Sequence, residues 1–171
     1  MEKKYKLTDE TINVNGSTLY RVEALKDFGD VKKGDKGGFI EKEDNLSQSG
    51  DCWVYGDAMV YNNAMVYDNA VVYGNAKVYD NAWVYGDAQV YGNSEVYGNS
   101  EVYGNSEVCD NAEVFGDTKV YGNARIWDNA RVHGNAKVYG DADVYDDADV
   151  YGNAVVCDNA EICDNMKVCD A

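Results

Sequence analysis

The sequence predicts an all-β chain: a triangular parallel β-solenoid with about eighteen residues per coil, opened by a cap that carries a β-hairpin. Three observations predict it. An aliphatic residue returns every six positions from Val54 to Val168, twenty times without an insertion. The fifth position of the unit is small, mostly Ala or Ser, and a pair drawn from Gly, Asp and Asn follows nearly every aliphatic stretch. Self-similarity at a short fixed period marks a chain whose core is built by stacking its own repeats.

Residues 1–41 lack the period and form the predicted cap. Within it, residues 11–14 and 18–22 flank Asn15-Gly16, a pair that tolerates positive φ at both turn positions and so signals a hairpin. A turn-rich link over residues 30–40 follows, with Phe39 and Ile40 expected to cover the first open coil. Residues 42–171 form the predicted solenoid. Its first units are degenerate, with Leu46 and Cys52 at the small position.

In a regular unit the Gly, Asp or Asn pair makes the corner, because these residues accept left-handed conformations at low cost. The other four residues form a strand whose alternation sends Ala76 and Val78 inward, Lys77 and Tyr79 outward. Three such sides close a triangle. Charges support that count, since eighteen-residue spacing brings opposite signs together in Lys77/Glu95, Glu101/Lys119, Glu107/Arg125, Glu113/Arg131, Arg125/Asp143, Arg131/Asp149 and Asp149/Lys167, outnumbering the like pairs. Near the end, Met166 stands where Ala is usual and is expected to plug the open core.

Units such as Val78-Tyr79-Asp80-Asn81-Ala82 resemble the hexapeptide repeat of left-handed parallel β-helices, and the likeness covers about three quarters of the chain. The resemblance implies a left-handed path, against the general right-handed preference of crossovers. Residues 19–28, 37–41 and 45–47 also resemble the cap of uncharacterised hexapeptide-repeat proteins of bacteria and their phages. Some of those are labelled acyltransferases by fold analogy, which assigns no chemistry by itself.

The formal charge is −16, and it is uneven: residues 1–42 are near neutral while residues 43–171 carry −17. Such a surface repels nucleic acid and anionic membranes and favours a protein partner with a basic surface. No run has the length of a membrane span, the first residues are polar, and five cysteines make no disulfide framework, so a cytoplasmic chain with free thiols is expected.

The residue after each aliphatic position is Tyr in thirteen of the twenty repeats, and eighteen-residue spacing sorts these into three outward columns. Toward the first coils the charges thin out. Trp53, Met59, Met65, Val71 and Trp83 are expected there as an apolar collar beside Tyr55, Tyr61 and Tyr67, the leading candidate for an interface. Glu95, Glu101, Glu107 and Glu113 are the carboxylates expected to extend it, as a regular row able to imitate phosphates. His133, the single histidine, is a weak candidate general base: it occupies a tyrosine slot, and no loop interrupts the repeats to shape an acceptor site. One histidine excludes a three-histidine zinc site. Cys157, Cys163 and Cys169 fall on three different faces and are not expected to hold a metal. Ser94, Ser100 and Ser106 form an inward ring able to bond corner backbone.

The expected function is therefore a non-catalytic acidic interaction protein without a cofactor. The phage likeness adds a sharper version, in which the rod fills the nucleic-acid groove of a host defence protein. The alternatives are an acyltransferase using coenzyme A and a structural or polymer-forming element. A homo-oligomer is expected, through the collar or the uncapped last coil.

Overall fold

A computed structural model describes residues 2–170 of the chain. Strands β1 (Tyr5–Val14) and β2 (Ser17–Ala24) form the antiparallel hairpin, with Val14 opposite Ser17 across Asn15 and Gly16 at φ 52° and 90°. Strand β3 (Lys36–Ile40) is antiparallel to β2 on one side and parallel to the solenoid on the other, where Phe39 pairs with Met59 and Ile40 with Val60. Twenty short strands follow, β4 (Trp53–Val54) to β23 (Lys167–Asp170), one per repeat. No α-helix occurs among the described residues.

Every third strand pairs in parallel, which gives three sheets of ten, seven and six strands; the ten-stranded sheet includes β1, β2 and β3. Val96 stands between Val78 and Val114, so neighbours on a face are eighteen residues apart. The aliphatic and small positions face inward, and from Val54 to Val150 every aliphatic residue of the series is buried. Ladder hydrogen bonds such as Tyr79 N–H to Val96 O, 3.0 Å, join the coils.

Corners follow from backbone chemistry. Their first residue takes positive φ, as Asp80 at 58° and Gly98 at 73°, which Gly, Asn and Asp tolerate best. Their second residue stacks: Asn75 Nδ2 donates to Asn93 Oδ1, Asn93 to Asn111, Asn111 to Asn129 and Asn129 to Asp147, at 3.1–3.2 Å. An aspartate accepts but cannot donate, so Asp147 ends this ladder. Ser94, Ser100 and Ser106 are buried, and each hydroxyl donates to the carbonyl three residues back, at 2.8, 2.9 and 2.9 Å.

The cap does more than close an end. Ile40 enters the core, whereas strand alternation turns Phe39 to the outer side against Leu19 and Tyr61, so the two do not lie over the coil together. Trp53 takes the covering role, edge-on to Tyr5 at 6.0 Å and to Phe28 at 5.2 Å. β3 must lie close against the first coil to permit this. A Cβ on Gly37 or Gly38 would come within 2.5 Å of the Val54 carbonyl or 2.4 Å of the Ala58 carbonyl, so only glycine fits. Buried Lys4 ties β1 to the degenerate unit, donating to the carbonyls of Gly50 at 3.2 Å and Cys52 at 2.9 Å. At the other end Met166 is 42% exposed and Ile162 and Val168 are only half-buried, so Met166 does not plug the core.

Candidate interaction surface

The outward aromatic columns stand as stacks. In the ten-stranded sheet the rings of Tyr61, Tyr79, Tyr97, Phe115, His133 and Tyr151 follow one another at 4.7–5.5 Å, within 11° of parallel. Tyr67, Tyr85, Tyr103, Tyr121 and Tyr139 do the same on the six-stranded sheet. Polar rungs cross several of the steps in the three columns. The hydroxyls of Tyr79, Tyr85, Tyr91 and Tyr97 donate to Glu95, Glu101, Glu107 and Glu113, each sixteen residues ahead, at 2.9–3.3 Å. Neither this rung nor the asparagine ladder was expected from the sequence; applying the eighteen-residue spacing to the corner column would have exposed the latter.

Burial and then the Glu113 carboxylate push the Tyr97 hydroxyl up to about 12, and burial first raises Tyr61 to about 12 as well. On Glu101, the Lys119 hydrogen bond outweighs burial and, together with Tyr85, holds the carboxyl below the usual range.

The expected collar divides. Trp53 is 1% exposed and Tyr61 4%, so these two are not surface residues; the cap, assumed to sit at the end, also wraps the first coil. Met59 packs half-buried against the cluster of Leu19, Phe39 and Tyr61, and Tyr55 is half-buried against the core. Val71 is half-buried between Trp53 and Gln89. Met65 and Trp83 remain out, at 39% and 44%, paired in register on the six-stranded sheet, with Tyr67 edge-on to Trp83 at 6.3 Å and stacked on Tyr85.

The four glutamates do not make one row. Glu95 and Glu113 belong to the ten-stranded sheet, Glu101 to the six-stranded and Glu107 to the seven-stranded. Lys77 lies 2.8 Å from Glu95, Lys119 2.7 Å from Glu101, and Arg131 3.8 Å from Glu113. Arg125 forms its two hydrogen bonds with Asp143, at 2.8 and 2.6 Å, rather than with Glu107. A bidentate guanidinium–carboxylate pair is the stronger arrangement, which explains the choice.

His133 lies between Phe115 and Tyr151, with Nε2 2.9 Å from Asp149 Oδ1. In form this is a base with its orienting acid. In position it repeats the tyrosine rung, ring for ring and sixteen residues ahead, on a flat sheet face. Cys157 and Cys163 follow β21 (Val155–Val156) and β22 (Glu161–Ile162), and Cys169 lies in β23, strands of three different sheets. No described helix is long and apolar enough to cross a membrane.

Residues 60–74 and 76–92 match the family of YdcK β-solenoid repeats. The chain is also similar to a protein of Escherichia coli (strain K12) described as the uncharacterized acetyltransferase YdcK, with 36% identity over 61 residues. That stretch is 31% of this chain and spans 19% of the relative's length.

Proposed function

We propose that this chain, whose first regular coils match YdcK β-solenoid repeats, is a non-catalytic acidic scaffold that binds a protein partner through its six-stranded face. One observation carries the reading. The cap hides Trp53 and Tyr61 yet leaves Met65 and Trp83 exposed side by side, so an apolar centre stays uncovered on one face alone of the first coils. Glu101 follows Trp83 in register, and the corner residues Asp80 and Asp87 flank its strand in sequence. An apolar centre with carboxylates at its rim favours a partner offering an apolar pocket with basic surroundings. The nucleic-acid-mimic version is weakened by the glutamates, which are spread over three faces and mostly neutralised by lysine or arginine.

The test is capture from bacterial lysate on the immobilised chain, comparing the parent with Met65→Ser/Trp83→Ser. A basic protein retained by the parent, released by salt and lost with the double variant supports the reading. Equal capture by both overturns the assigned face. Acyl transfer, suggested by the description of that relative, is tested beside it: coenzyme A binding by the parent, together with acyl-transfer turnover that His133→Asn abolishes while folding stays intact, would replace the scaffold reading with the transferase.

A further inference from the structure

The aromatic column of the seven-stranded sheet is interrupted. Tyr73 stacks on Tyr91 at 4.6 Å and 5°, and Trp127 stacks on Tyr145 at 4.6 Å and 14°, but the coil between them carries Cys109. Adjacent strands of a sheet are about 4.8 Å apart, so Tyr91 and Trp127, two coils from each other, stand about 9.6 Å apart along the axis. One ring is missing from the stack. The gap is a groove of about 240 Å³ lined by Tyr91, Glu107, Cys109, Asp110, Arg125 and Trp127.

Its walls are already ordered, because each flanking ring is held on its far side by another ring of the same column. Order of this kind lowers the entropic cost of taking up a ligand. The floor is the Cys109 side chain, 7% exposed, whose thiol burial pushes up to about 11 and so keeps neutral. The two carboxylates of the lining outnumber its one guanidinium. Glu107 accepts from Tyr91 but has no cation within salt-bridge distance among the described residues, since Arg125, beside it in register, is engaged by Asp143; Asp110 adds the second carboxylate at the corner. Two π faces of one column and a carboxylate without a salt-bridge partner select a flat cation, which gains from stacking, from both ring quadrupoles and from the counter-charge.

We propose that the break at Cys109 is a binding slot for one planar heteroaromatic cation, intercalated between Tyr91 and Trp127 with Glu107 as its counter-charge. The slot lies on a different sheet from Met65 and Trp83 and does not depend on the partner assigned to them. It is a non-covalent site in which shape admits a ring and charge chooses a cationic one.

The experiment titrates the full chain with N-methylquinolinium, the neutral isostere 1-methylnaphthalene and the non-planar cation tetraethylammonium, following ring-current shifts of the probe and indole fluorescence. The parent is expected to bind N-methylquinolinium about tenfold more tightly than either control. Cys109→Tyr refills the column with the residue found at positions 73, 91 and 145 of the same column; it should abolish this binding while the unfolding temperature stays level or rises. Trp127→Ala removes one wall and should lose binding independently. Glu107→Gln should erase the preference for the cation over its isostere. Binding by Cys109→Tyr equal to the parent's, an unchanged preference in Glu107→Gln, or no binding by the parent overturns the proposal.

Discussion

His133 Nε2 stands 2.9 Å from Asp149 Oδ1, sixteen residues ahead, by the same step that carries the Tyr79 hydroxyl 2.9 Å to Glu95. The histidine is thus a rung of the ladder, with Phe115 and Tyr151 on its two faces. His133→Tyr should fold, and stability should change by less than about 1 kcal/mol because stacking and rung are both restored. Thermal unfolding checks this. A large loss of stability would show that the imidazole makes a contact no phenol can replace.

The tyrosine columns predict alkaline unfolding. Tyr61 and Tyr97 are held near 12, by burial first and by nearby carboxylates, against about 10 in an unfolded chain. A folded value above the unfolded one means the contribution is complete below pH about 10 and is lost as pH rises through about 12. Tyrosinate absorbance and circular dichroism followed together should change in that window. Titration of these hydroxyls at the ordinary phenol value, with the fold intact, would contradict the assignment.

Glu101 gives the opposite sign at the acid end. Lys119 and Tyr85 hold its carboxyl low, so its stabilising part is present above the unfolded value of about 4.3 and disappears as pH falls through the lower folded value. Glu101→Gln should lower stability at neutral pH and flatten the acid limb of the stability profile. The effect should be modest, since Lys119 is a partly exposed partner.

Corner chemistry can be separated from corner space. Gly98 has φ 73°, and an added Cβ would meet the Gly116 nitrogen at 2.8 Å. Gly98→Ala should cost about 1–2 kcal/mol or more, and Gly98→Asn should cost less, since asparagine tolerates the left-handed region and Asn62 holds it at φ 57°. Denaturant unfolding of the two variants ranks them. Equal losses would mean that the close approach, and not the backbone angle, governs the corner.

Val102 is fully buried between Val84 and Val120 in the middle of the stack. Val102→Asp would bury a charge with no partner, at a cost of several kcal/mol. Melting close to the parent's would refute the inward assignment of the aliphatic positions.

Much of this architecture is legible because one local rule is repeated: a six-residue period states which side chain enters the core wherever it is unbroken, as at Val102 and Ala76. Trp53 escaped for a physical reason. Its repeat position says outward, but burial there is decided by a non-periodic cap whose Gly37 and Gly38 allow β3 to close over it. Arg125 shows a second limit, for spacing offers it Glu107 on one side and Asp143 on the other, and only side-chain geometry selects the bidentate partner. The asparagine ladders were hidden because turn propensity already accounted for those residues, leaving no visible anomaly.

The eighteen-residue step between paired strands also constrains how such a gene can change length. Adding or deleting one whole coil within the stack leaves every downstream strand on its original face, so aromatic and asparagine columns merely lengthen or shorten. Adding one six-residue unit preserves the core equally well, since valine still meets valine, but rotates every downstream position to the next sheet. A single-unit duplication upstream of Gln89 would carry Cys109 and its neighbouring rings to another side of the prism while the fold survived. Chain length and surface layout are therefore inherited separately from foldability, and a lineage of such chains can redistribute its outer features by copying units of different size.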